Sequence, residues 1–302
     1  MLTRCLQSLA HLSEPPDEVL VVWQGDDQPT RACAERLRPE LPYTLRIVHS
    51  REAGIVPAEN AALRESRGEV VLMIDDDAQA PPDWLARHLA HYDDPTVGAV
   101  GGPAQNHLRD GTLQPERSAE PVGLITPLGR VVGNMYNHPE AWRSRAPREV
   151  DHLVGNNLSL RRVAFGSFEQ GLRPYWQLFE LDACLQVKAR GYRVLFDFAN
   201  VVQHFPAQTV YGDPRAGDPT LPIYNGSYNH AFVLSKHSAP ALRPVRLLYQ
   251  LLVGSVATPG LLATAVATRR HGHPLREARL LLHTTRHRVA GWRAGARQRG
   301  SR

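Results

Sequence analysis

The first hundred residues alternate between two hydrophobic periods. Leu2, Cys5, Leu6 and Leu9 recur at helical spacing and predict a helix over 2–12. Short apolar runs rich in β-branched residues predict strands over 18–23, 44–48, 69–74 and 97–101. Helical stretches over 29–37, 57–67 and 82–92 separate them, with Pro57 opening the second. Strands alternating with helices of this length predict an α/β fold with a mixed, mainly parallel sheet covered on both faces. Residues 102–149 are rich in Pro, Gly and Arg and read as a long excursion over the ligand-binding face. Regular pattern returns with a strand over 153–160, a helix over 179–190 and strands over 192–196 and 201–204. A Gly/Pro/Asp-rich linker follows Pro206, and helices are expected over 223–237, 242–267 and 274–296. The expected division is an α/β domain over 1–222 and a helical, Arg-rich extension over 223–302.

The series opens on a helix, whereas a parallel βαβ series opens on a strand. The expectation is therefore of a sheet whose first strand does not appear in the chain.

Charge adds a second asymmetry. Ten Arg against one Glu from Arg269 to Arg302 give +9, which leaves a mildly acidic body beneath the overall +5. A basic block of this kind points to an anionic surface, or else is a solvated tail. It holds one aromatic, Trp292, and no recognition motif, so nucleic acid is not expected as a partner. The apolar stretch 247–268 is diluted by Gln250, Gly254, Thr258, Pro259 and Gly260, and reads as two short helices broken at Pro259-Gly260 rather than a membrane span. Cys5, Cys33 and Cys184 show neither metal spacing nor a disulfide framework, and no basic-then-apolar leader opens the chain. The expected location is the cytoplasm, with peripheral contact at the inner face of the membrane.

The strongest chemical signal is Asp75-Asp76-Asp77 at the carboxyl end of the apolar run 70–74. Ligands of open α/β sheets bind at that end. Three carboxylates in sequence either cap the following helix in solvent or share a cation with an anionic ligand.

Four segments in order resemble family 2 glycosyltransferases. They are Gly54-Ile55-Val56-Pro57-Ala58-Glu59-Asn60 with 66–77; Gly155-Asn156-Asn157-Leu158-Ser159; Phe179-Glu180-Leu181-Asp182; and 191–197 with Val201-Val202-Gln203-His204. The resemblance covers roughly 2–237 and implies the GT-A (Rossmann-like) fold, with a donor half over 1–102 and an acceptor half over 103–222. It implies an inverting, Mg2+- or Mn2+-dependent transfer of a sugar from a nucleotide sugar to a saccharide or lipid-linked acceptor. Asp75 and Asp77 become the outer carboxylates of a D-x-D motif, Asp77 and Asp75 holding the metal. Asp76 is turned to the other face by strand alternation. Asp26 and Asp27 become nucleotide contacts, with a plain turn as the alternative. Asn60 falls in a helix that packs under the diphosphate, but Glu59 stands where the family commonly has Arg. Glu180 becomes the general base with Asp182 as its rival, since Phe179 replaces the first acid of the usual pair. His204 becomes a metal ligand or a structural His. Tyr175 and Trp176 become candidates to stack on an acceptor sugar. The family normally opens on a strand ending in a Pro-x-Tyr-Asn-like turn that holds the base, upstream of Met1. This keeps open a non-catalytic, saccharide- or membrane-binding protein with an incomplete donor pocket.

Overall fold

The computed structural model describes residues 1–174, 178–206, 220–255, 258–271 and 274–301. Tyr175, Trp176 and most of the expected linker lie outside the described residues. The chain divides into two compact units: 1–124, 133–168 and 183–211 form one, and 125–132, 169–182 and 212–302 form the other. This division is not the chain-order boundary at 222, because two internal segments group with the C-terminal helices.

In the first unit, α1 (Leu2–Ala10) buries Cys5, Leu6 and Leu9, the face its spacing predicts. β1 (Val19–Gln24) and β2 (Leu45–Ser50) pair in parallel, Val19 opposite Leu45 and Gln24 opposite Ser50. Between them runs α2 (Gln28–Leu37), and α3 (Ile55–Glu65) follows β2. Then come β3 (Val70–Met73), the two-residue β4 (Ala78–Gln79), α4 (Trp84–Ala90), β5 (Val97–Gly101) and β6 (Ala104–Asn106). The core between α1, α2 and the strands is built from Leu6, Leu9, Val21, Leu37, Leu45, Trp84 and Val202.

The expected parallel order is interrupted. β10 (Leu158–Arg161) lies between β3 and β5 and is antiparallel to both. β11 (Arg193–Phe196) returns parallel to β5, and β9 (Arg148–Glu149) closes the edge antiparallel. The sheet is thus mixed, in the order β3-β10-β5-β11-β9. A buried polar network fixes β10 in this place. The Asn157 amide oxygen accepts from Trp84 Nε1 at 2.9 Å and meets His88 Nε2 at 3.1 Å, while its nitrogen donates to the Asn200 carbonyl at 2.7 Å. The Ser159 hydroxyl meets His88 Nδ1 and the Tyr92 hydroxyl, each at 2.8 Å. Gly102 permits the close approach, because a Cβ there would run into the Asn200 carbonyl.

A third small sheet positions the candidate site. β12 (Val202–His204) pairs antiparallel with β4 and parallel with β6, which places His204 opposite both Ala78 and Asn106.

The second unit is mainly helical. It contains most of the hairpin β7 (Leu124–Ile125) and β8 (Val131–Val132), the first turn of α5 (Phe179–Ala189), α6 (Leu221–His237), α7 (Arg243–Leu252), α8 (Leu261–His271) and α9 (Pro274–Arg297). α9 packs on α6 through Gly291 and Gly295, where added Cβ atoms would strike the carbonyls of Tyr228 and Phe232. The expected break in 242–267 falls between α7 and α8, at a turn where Gly254 has φ +69° and bridges to Pro259. No described helix is long and apolar enough to cross a membrane.

Candidate active site

β3 ends at Met73, so the aspartate triplet occupies the turn into β4 rather than the strand itself. Ala78 N–H donates to the Asp75 carbonyl at 3.0 Å and closes that turn. Strand alternation therefore does not decide where Asp76 points; in the turn it is exposed, as is Asp75. Asp77 turns inward, its side chain 12 % exposed. Phe205 N–H donates to the Asp77 carbonyl at 2.9 Å, which ties the end of β12 to the triplet.

The β4–β12 register brings His204 to the carboxylates. His204 Nε2 lies 3.1 Å from Asp77 Oδ1 and 3.8 Å from Asp75 Oδ2. One ligand atom from each of Asp75, Asp77 and His204 falls within 4.8 Å of the others. Two carboxylate oxygens and one imidazole nitrogen make a donor set suited to a hard or borderline divalent cation, Mn2+ in particular. The other ring nitrogen, His204 Nδ1, meets Asn106 Oδ1 at 2.7 Å. That contact requires the proton on Nδ1 and leaves Nε2 as the lone-pair donor toward the carboxylates when the ring is neutral. Asn106 is itself held, its backbone N–H donating to Asn137 Oδ1 at 2.9 Å. Sequence reading did not single out Asn106; its position follows only from the β6–β12 register.

The electrostatics fit the same reading. Crowding by the surrounding chain and the Asp77 charge push Asp75 up to about 6, although half of its side chain is exposed. Burial opposes a charged His204, yet the Asp77 hydrogen bond and the charges of Asp77 and Asp75 outweigh it and raise the imidazole above its ordinary value. Without a cation the cluster relieves its repulsion by taking protons; a divalent ion does the same work with charge. Cys5, buried behind the triplet on α1, is pushed up to about 12 by burial and the three carboxylates, and remains an inert thiol.

The remaining predicted residues divide. Asp26 is exposed in the turn after β1. Asp27 caps α2, its side chain accepting from Thr30 N–H at 3.2 Å, which matches the plain turn-and-cap alternative. The same edge carries Trp23 stacked on His49 at 3.9 Å, a pair that the sequence reading passed over. Asn60 is not directed at the cluster. Its amide nitrogen donates to the Phe168 carbonyl at 2.9 Å and its oxygen accepts from Phe168 N–H at 2.8 Å, so the carboxamide serves as a buried clamp.

In the second unit the two acids of α5 differ sharply. Glu180 is partly exposed in the first turn. Asp182 is fully buried. His237 Nε2 reaches Asp182 Oδ1 at 2.7 Å, and Lys236 Nζ donates to Oδ2 at 3.0 Å. Lys236 also pairs with Glu169 at 2.7 Å. Burial alone would raise Asp182, but the His237 hydrogen bond and the two cationic partners hold its carboxyl below the ordinary range. A carboxylate so engaged is a poor proton acceptor.

The model of the family described as "Glycosyl transferase family 2" matches residues 1–166. The succinoglycan biosynthesis protein ExoM of Rhizobium meliloti (strain 1021) is 36% identical over 109 residues, which cover 35% of each chain. The match thus spans about a third of that relative's length. Two solved structures are similar in fold. GalNAc-T7 with UDP, GalNAc and Mn2+ superposes with a TM-score of 0.56 at 14% identity, covering 81% of this chain and 51% of that one. The mannosyltransferase PcManGT from Pyrobaculum calidifontis, in complex with GDP-Man and Mn2+, gives 0.51 at 18% identity, covering 96% and 81%.

Proposed function

The chain belongs to glycosyl transferase family 2 and has the GT-A fold, and we propose that it transfers a sugar from a nucleoside-diphosphate donor with inversion at the anomeric carbon. The observation that carries this reading is the convergence of Asp75, Asp77 and His204 at the carboxyl end of β3. These three would hold Mn2+ or Mg2+, which supplies positive charge to a departing diphosphate. The fold neighbours solved with UDP or GDP-Man and Mn2+ support that choice. Asn106 orients the His204 ring so that Nε2 faces the carboxylates. Asp76, exposed beside them, adds negative potential without joining the donor set.

Glu180 takes the proton from the acceptor hydroxyl. Its partial exposure supports this role, and the engagement of Asp182 by Lys236 and His237 argues that Asp182 positions the first turn of α5 instead. The acceptor is a saccharide or lipid-linked saccharide under assembly; the relative named for succinoglycan biosynthesis supports polysaccharide as the product class.

The test is a panel of UDP- and GDP-sugars incubated with Mn2+, with release of nucleoside diphosphate as the readout. At least one donor should turn over only with metal, and Glu180→Gln should lower the rate by about 10²–10⁴-fold while Mn2+ binding persists. Metal-independent release, or full-rate turnover by Glu180→Gln, would contradict the assignment.

A further inference from the structure

Helices α7, α8 and α9 bury polar side chains and expose several large apolar ones. Their buried side chains are Gln250 on α7, Thr264 on α8, and Thr284 and Arg288 on α9. Part of their large apolar surface faces outward: Leu248 is 57 % exposed, Leu261 51 %, Leu262 56 %, Val266 49 %, Leu275 79 % and Leu282 50 %, while Leu247, Leu251, Leu280 and Leu281 are half-buried. A water-facing surface helix shows the reverse arrangement, and a run of exposed Leu and Val over three successive helices marks a surface that is covered in use.

Charge identifies what covers it. From Arg243 to Arg302 the chain carries twelve Arg and one acid, Glu277. Arg269, Arg276, Arg279 and Arg286 are exposed on the same helices as the apolar side chains. A second copy of this face would set Arg against Arg. An anionic lipid surface instead takes the Leu and Val side chains into the acyl boundary and the guanidinium groups among its phosphates. Not all of the basic block serves this purpose. Arg288 is buried and donates to the Thr258 and Pro259 carbonyls, and Arg299 donates to the Ser235 hydroxyl.

We propose that α7, α8 and the first turns of α9 form an interfacial docking surface for an anionic bilayer, lying in the headgroup layer without spanning it. The surface depends on these helices alone, so it stands or falls independently of the transfer reaction.

The full chain should co-sediment with vesicles of equal parts phosphatidylcholine and phosphatidylglycerol, and much less with phosphatidylcholine alone. Leu262→Ser with Leu275→Ser should lower the partition coefficient by tenfold or more, because each removes an apolar side chain from the acyl boundary. Arg276→Glu with Arg279→Glu should lower it comparably. All four side chains are exposed, so thermal unfolding of both variants should match the parent. Absence of binding to the anionic vesicles would overturn the proposal, as would undiminished binding by the Leu variant. A concentration-dependent dimer that the Leu variant abolishes would assign the face to a second copy and overturn it equally.

Discussion

Asp182→Asn separates a structural acid from a catalytic one. The wild-type carboxylate is fully buried between Lys236 and His237. Removing one partner of a buried pair leaves the other charge uncompensated and typically costs about 3–5 kcal/mol. Lys236 keeps Glu169 at 2.7 Å, so the lower end of that range is expected. At a urea m-value of about 3 kcal/mol/M, the loss lowers the midpoint by about 1 M. The assay is urea unfolding of the helical signal in wild type, Asp182→Asn and Glu180→Gln. Asp182→Asn should unfold early, and Glu180→Gln should unfold as wild type does.

The pH dependence follows from the depressed Asp182 pKa. The native state holds the carboxylate charged more strongly than the unfolded chain does, against an ordinary value of 3.8. The stabilisation is complete above that value and is lost as pH falls through the lower folded-state pKa. The gap between wild type and Asp182→Asn should therefore be constant near neutrality and close only in strong acid. An Asp182→Asn protein that unfolds as wild type does would refute the clamp. A stable, inactive Asp182→Asn beside a fully active Glu180→Gln would transfer the base to Asp182.

Three further outcomes are expected. Asn60→Asp sets a carboxylate against the Phe168 carbonyl and should cost about 1–3 kcal/mol in thermal or urea unfolding, with Mn2+ affinity unchanged. Gly291→Ala drives a Cβ into the Tyr228 carbonyl and should destabilise the α6–α9 pair by about 1–3 kcal/mol; unchanged unfolding would show that α9 shifts freely. Asn106→Ala releases the His204 ring and should weaken Mn2+ binding by about 10–100-fold in a titration, whereas an equal affinity would remove Asn106 from the site.

Local order was readable in the chain because it depends on local pattern. The Leu2–Leu9 spacing predicted the buried face of α1, and the break at Pro259-Gly260 lies in the turn between α7 and α8. Long-range pairing was not readable. Nothing in Leu158–Arg161 says that it enters antiparallel between β3 and β5; that follows from contacts of Asn157 and Ser159 with Trp84, His88 and Tyr92. The triplet was singled out by its place after an apolar run and His204 by resemblance, but the approach of His204 to within 3.1 Å of Asp77 rests on the β4–β12 register across more than a hundred residues. In the sequence Asp182 stands as a rival to Glu180 for the general base, because the partners that bury it lie 54 and 55 positions downstream. The Asn60 clamp was not readable for the same reason, its partner Phe168 lying 108 positions away. The helical C-terminus was expected from its pattern, but the exposure of Leu261, Leu262 and Val266 on α8 is set by tertiary packing.

Asp75, Asp77 and His204 are proposed to form one cation site for a diphosphate. The most direct test is a Mn2+ titration by electron paramagnetic resonance, with and without UDP or GDP, on wild type, Asp77→Asn and His204→Ala. Wild type should bind one Mn2+ more tightly when a nucleoside diphosphate is present, and both variants should lose that binding. Equal Mn2+ binding by all three proteins, or none by wild type in the presence of either nucleotide, would contradict the account.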